Sequence, residues 1–184
     1  MRMYKSEMQK YPECVKLIQH LETRVKGQPK VLEAFLRACT ADDQPKKSKA
    51  KTVALQCLKW AVDPLVVVSA SGQAVADGQA VDACGFHNTL LGVNQLEIIQ
   101  VWWDGYEFGS PGDRIRNAHR ITTTLLHEAV HWVRDTVGAS DEIAPPTFRD
   151  FPEEAGHFFE RLAFGKPNVC TADELDDAIL SVRT

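Results

Sequence analysis

The amino-acid sequence predicts an α+β fold: a helical N-terminal part, a small β-sheet, and a long helix followed by a second helix packed near it. Three observations predict it. Apolar residues recur at threes and fours over 5–39 and again over 113–137, the spacing of helices with one buried face. Two β-branched or aromatic runs, 64–69 and 96–103, have the length and residue types of strands. A chain of 184 residues with 44% hydrophobic and 25% charged content suits one domain over 1–184 that buries a sizeable core.

Taken in order, residues 1–40 form a helical lead-in. Ser6 to Val25 carries Val15, Leu17, Ile18 and Leu21, and Pro29 to Cys39 carries Val31, Leu32, Phe35 and Leu36, each set on one helical face. Residues 41–51 are polar and turn-rich and read as a solvated loop, because four lysines beside two aspartates make little net field. Val53 to Ala61 is expected to be a short helix and Pro64 to Ser69 a buried strand, followed by glycine-rich turns. Leu96 to Trp103 reads as a second strand closed by Asp104-Gly105, and Gly109-Ser110-Pro111-Gly112 is a break. From Asp113 to Val137, Ala118, Ile121, Leu125, Ala129 and Val133 mark a helix that stops before Gly138. A loop from Ser140 to Arg149 leads to a helix that begins near Asp150 and ends at Gly165-Lys166-Pro167, and Thr171 to Val182 reads as a last short helix.

Charge and composition exclude several partners. A net charge of −4 offers no positive field for phosphate backbones or anionic lipid, so neither nucleic acid nor a membrane is an expected partner. Apolar stretches fall well short of the roughly 20 residues that cross a bilayer. The first residues alternate charged and apolar types without the apolar core of a signal peptide, which predicts synthesis in the cytoplasm and, for any secretion, a route that needs no such signal. Five cysteines, odd in number and widely spaced, read as reduced, buried small hydrophobes.

The chemistry lies in His127-Glu128-Ala129-Val130-His131, an H-E-x-x-H pattern inside the long helix. Residues four apart stand one above the other on a helix, so both imidazoles reach one metal ion while Glu128 stands beside its open position. Chance produces the pattern in about one shuffled chain of this composition in a hundred. The histidines lie opposite the stripe through Ala118, Leu125, Ala129 and Val133, so a second layer has to cover them if they are buried. The alternative is a pair of histidines satisfied within an ordinary helix.

Catalytic Zn²⁺ takes three protein ligands and a water, so one ligand must come from elsewhere. The stretch Asp150 to Glu160 supplies Glu153, Glu154, His157 and Glu160. Glu153 and Glu154 fall in a first helical turn, where acidic residues serve as caps. Glu160 lies deeper, with Gly156 and Ala163 leaving room for close approach, and is the preferred third ligand, with Glu154 the alternative. His157 reads as a half-exposed helix histidine, with ligation or steadying of an oxyanion as its other roles. Asp135 is either a partner to a histidine ring or a solvated carboxylate. Cys84 and His87 resemble half a zinc clamp without the other half.

At these residues the sequence resembles the zincin metallopeptidases, in particular the gluzincins, in which a glutamate from a following helix completes the site. Thr124 to Asp135, Glu154 to Glu160 and Phe164-Gly165 further resemble the small metallopeptidase toxin domains of bacterial secretion-system effectors. The resemblance implies zinc-dependent hydrolysis of peptide bonds, with His127, His131 and a downstream glutamate on the metal and Glu128 as general base and acid. It also implies a protein or peptide substrate, a delivery protein, an immunity protein and injection by a secretion system. Leu96 to Trp103 would then be the edge strand that aligns substrate. A housekeeping peptidase and a non-catalytic module with a structural zinc are the other readings.

Overall fold

A computed structural model of the protein describes residues 1–41, 46–70, 73–76, 79–82, 85–88, 95–140, 142–143 and 153–165. A short strand, β1 (Arg2–Met3), precedes three helices, α1 (Lys5–Lys10), α2 (Pro12–Gln19) and α3 (Leu21–Lys26), and a longer one, α4 (Pro29–Thr40). The periodic run from Ser6 to Val25 is therefore not one helix. Pro12 lacks the N–H that a helix interior needs and disfavours helical geometry at Tyr11, whose φ is −126° and ψ 60°, so the chain restarts with proline in the first turn of α2. The freed Tyr11 is buried, and its hydroxyl donates to Asp104 at 2.9 Å.

The loop expected over 41–51 gives way to helix α5 (Lys47–Cys57). Ala50, Ala54 and Cys57, spaced four and three apart, are buried, while Lys47, Lys49 and Lys51 stay at the surface. Small residues bury little area each, so the charges masked the stripe, and the helix ends at Cys57 rather than Ala61.

The sheet runs in the order β1, β2 (Leu65–Ser69), β6 (Gln95–Ile99), β5 (Gly85–Asn88), with β1, β2 and β6 parallel and β5 antiparallel to β6. Strands β3 (Gln73–Ala76) and β4 (Gln79–Asp82) form a separate antiparallel pair in the region expected to be turns. The strand expected over Leu96–Trp103 ends at Ile99, and Gln100–Phe108 is helix α6. Tertiary packing overrides the β-preference of Val101-Trp102-Trp103. Trp103 is fully buried beside Tyr11 and its indole N–H donates to the Ile98 carbonyl at 3.2 Å, which folds the chain back on the strand it has just left. Consequently β6 is interior, and the edge next to the central helix is β5.

That central helix, α7 (Pro111–Val137), matches the expected element closely. Ser110 caps it, its Oγ accepting from the Asp113 N–H at 3.3 Å, Pro111 opens it, and Gly138 closes it in the left-handed conformation at φ 69°. From Ile121 onward it buries residues on every side, because α4, α5, α6, β5, β6 and α8 (Ala155–Phe164) all pack against it. Buried Arg134 on α7 donates to the Ala38 and Ala41 carbonyls at 3.0 and 3.1 Å, satisfying acceptors at the end of α4. Phe35 of α4 meets Phe159 of α8 edge-to-face at 6.1 Å, so α4 braces both helices. The expected helix at 171–182 lies outside the described residues, whereas the helix expected to begin near Asp150 starts only at Ala155, because Glu153 and Glu154 before it are extended strand residues. No helix of the described residues is long and apolar enough to cross a membrane.

Cys14, Cys39 and Cys57 are free and buried, and burial raises all three thiols, that of Cys57 up to about 12. Only thiolate reacts, so these three should resist iodoacetamide in native protein at pH 8 and react after denaturation, as mapped by mass spectrometry. Rapid native labelling of any of them would contradict this packing.

Candidate metal centre

Helix α7 holds His127 and His131 one turn apart with ring centroids 5.1 Å from each other. Glu128 between them is 7% exposed. The second layer that the sequence requires is α8. The chain returns to it through β8 (Glu153–Glu154), which pairs antiparallel with β7 (Glu142–Ile143) just beyond the end of α7, Glu142 opposite Glu154. Glu154 is extended, with φ −61° and ψ 139°, and caps α8 by accepting the Gly156 N–H at 3.1 Å on Oε1. Strand pairing and capping together fix this carboxylate.

The same Oε1 lies 3.1 Å from His127 Nε2 and in contact with His131 Nε2. Ligand atoms of His127, His131 and Glu154 all fall within 4.8 Å of one another. Glu160, fully buried on the next turns of α8, is on the other side of the ring, with Oε1 2.8 Å from His127 Nδ1. The structure thus brings Glu154, second in the sequence reading, to the Nε2 side, and places Glu160, first in that reading, against Nδ1. Capping had seemed a sufficient reason for Glu154, but a capping carboxylate has lone pairs to spare and here it does both jobs.

Close approach of α8 depends on Gly156. A Cβ there would run into Cδ2, Nε2 and Cε1 of the His127 ring, so no other residue lets the first turn of α8 lie against it. The room expected around Glu160 is real, but it serves His127.

His157, one turn into α8, reaches back with Nδ1 to Oε2 of Glu154 at 2.9 Å and stands edge-on to His127 at 5.4 Å. The sequence reading missed this link, although the i,i+3 spacing of Glu154 and His157 was there to suggest it. Asp135 is exposed, in keeping with a solvated carboxylate. The side chains of Cys84 and His87 lie outside the described residues.

Electrostatics tie the cluster together. Burial lowers the His127 pKa, but the hydrogen bonds to Glu154 and Glu160 and the charge of Glu128 outweigh it and hold the ring well above its ordinary value. Burial raises Glu154, yet hydrogen bonds from His127, His131 and His157 hold it well below the usual carboxylate range. With neutral imidazoles, Glu128, Glu154 and Glu160 leave an excess of negative charge in a mostly buried space, which a divalent cation offsets. Two imidazole nitrogens and a carboxylate oxygen suit such an ion, and Glu160 on Nδ1 leaves the Nε2 lone pair of His127 turned to the ligand side.

A family model described as metallopeptidase toxin 3 matches residues 7–165. The chain belongs to that family. The match covers both the α7 histidines and α8, so the converging group lies in a toxin metallopeptidase domain, and the family implies a metal cofactor, which this group could hold. Neither the curated proteins nor the solved structures give a match.

Gly156→Ala is expected to weaken metal binding by ~10-fold or more, since it pushes the first turn of α8 off His127. Competition with a chelator, with circular dichroism as the check on folding, measures it. Unchanged affinity would mean that α8 need not touch His127.

Proposed function

We propose that the protein is a zinc-dependent peptidase of gluzincin type, in which His127, His131 and Glu154 hold Zn²⁺ and Glu128 is the general base and acid. The observation that carries this reading is the convergence of two Nε2 atoms and Glu154 Oε1, with His127 held from behind by Glu160. His₂Glu with room for water is the ligand set of catalytic zinc peptidases, whereas structural zinc is enclosed by four protein ligands. His157 stands outside the converging group, which favours an open position over a closed one.

Bound there, zinc would supply Lewis acidity toward the scissile carbonyl and lower the pKa of a water molecule. Glu128 would take the proton of the attacking water and pass it to the departing amine. Its burial beside the His127 turn keeps the carboxylate within the site and away from bulk water. Glu160 would fix the tautomer and orientation of His127 without touching the metal.

Substrate would lie extended along β5. Among the described residues this strand is the edge of the four-stranded sheet that lies beside α7, and it passes α7 one turn before His127, so closely that a Cβ at Gly85 would strike Thr124 Cγ2. In this reading the toxin acts on a cellular protein, reaches it by a specialised secretion route, and is restrained in the producing cell by an immunity protein. The family's toxin character supports that reading over a housekeeping peptidase.

Glu128→Gln should keep about one zinc per chain and lose ~10²-fold or more in turnover on any peptide that wild type cleaves. Expressed in cytoplasm and, with an added signal sequence, in periplasm, wild type should arrest growth in at least one compartment and Glu128→Gln should not. Near-wild-type turnover of the variant would remove Glu128 from its role.

The two downstream glutamates separate by magnitude. Glu154→Gln should abolish stoichiometric zinc binding, while Glu160→Gln should weaken it ~10–100-fold without abolishing it. The reverse ranking in chelator competition makes Glu160 the ligand.

A further inference from the structure

The two oxygens of Glu154 have different company. Oε1 faces His127 Nε2, His131 Nε2 and the Gly156 N–H, whereas Oε2 is turned to His157 Nδ1 at 2.9 Å. His157 is itself steadied, edge-on against His127 with ring planes at 80°, and its i,i+3 spacing from Glu154 on the first turn of α8 needs no other element to hold it. Its side chain is 35% exposed, so it sits at the mouth of the site rather than within the ligand group.

A glutamate on zinc binds through one oxygen or two. Two-oxygen binding fills the position that water or the substrate carbonyl needs. We propose that His157 is a positioning residue that holds Glu154 Oε2 away from the metal, keeps Glu154 a one-oxygen ligand, and so keeps the fourth coordination position open. This rests on the zinc reading above. The donor is Nδ1–H, which places the relevant atom close to the backbone of α8 and distinguishes this role from that of any polar side chain at the position.

Cobalt(II) in place of zinc reads coordination number directly, because four-coordinate cobalt absorbs visible light several-fold more strongly than five-coordinate cobalt. Full-length wild type and His157→Asn, whose Nδ2 falls where Nδ1 was, should both give the intense four-coordinate spectrum. His157→Ala and His157→Gln, which leave Oε2 without that donor, should give the several-fold weaker one. Identical spectra in all four proteins, or His157→Asn grouping with His157→Ala, would overturn the proposal. If His157→Ala does not fold, the Asn and Gln variants decide between them. A wild type that binds neither cobalt nor zinc sinks the zinc reading and this inference with it, whereas a metal-loaded, active wild type with a spectrum indifferent to position 157 sinks this inference alone.

Discussion

The His127 imidazole is gripped at both nitrogens by carboxylates from one short helix, Glu160 on Nδ1 and Glu154 beside Nε2, and the rest of the site follows from that grip. A metal-binding histidine needs its lone pair aimed and its ring prevented from turning. Here a single element supplies the hydrogen bond behind the ring and the partner carboxylate in front of it. The requirement this places on α8 is severe: its first turn has to lie on the ring, which Gly156 permits, and its N-terminus has to arrive extended, which the β7–β8 pair and the Glu154 cap arrange. Phe159 against Phe35 then fixes how far α8 can slide, since α4 is tied to α7 by Arg134.

The grip also explains why so much charge is tolerated in a buried place. Taking a carboxylate out of water is costly, and burial alone pushes the Glu154 pKa up. Hydrogen bonds from three histidines reverse that tendency. The cluster is therefore held together by its own hydrogen bonds, with ligand atoms of His127, His131 and Glu154 close enough to share one ion.

How much of this was legible in the sequence depended on whether a residue's role was local. That His127 and His131 stand together on one helix face was legible because i,i+4 spacing on a periodic helix is itself the geometry. The α+β class was legible from the helical and strand-like runs, and most of α7 from the spacing of Ala118, Ile121, Leu125, Ala129 and Val133 and from Gly138 at its end. Other features depended on what lies across the fold. Trp103 turned a β-rich stretch into α6 by folding onto Ile98, and Ala50 and Ala54 were too small to outweigh their lysine neighbours. The four-residue strands β3, β4 and β5 carry too few side chains for a period to show. The expectation set Glu160 ahead of Glu154, whereas it is Glu154 that converges with the two Nε2 atoms and Glu160 that meets Nδ1, because which face of one ring each meets is not encoded in six residues of sequence until α8 is docked.

The most direct measurement of the central claim is an anomalous difference map, collected at the zinc absorption edge from crystals of the zinc-loaded protein. The result expected is one strong peak about 2.0–2.2 Å from His127 Nε2, His131 Nε2 and one oxygen of Glu154, with Glu160 still on His127 Nδ1. A peak bonded to Glu160, or one enclosed by four protein ligands, would contradict it.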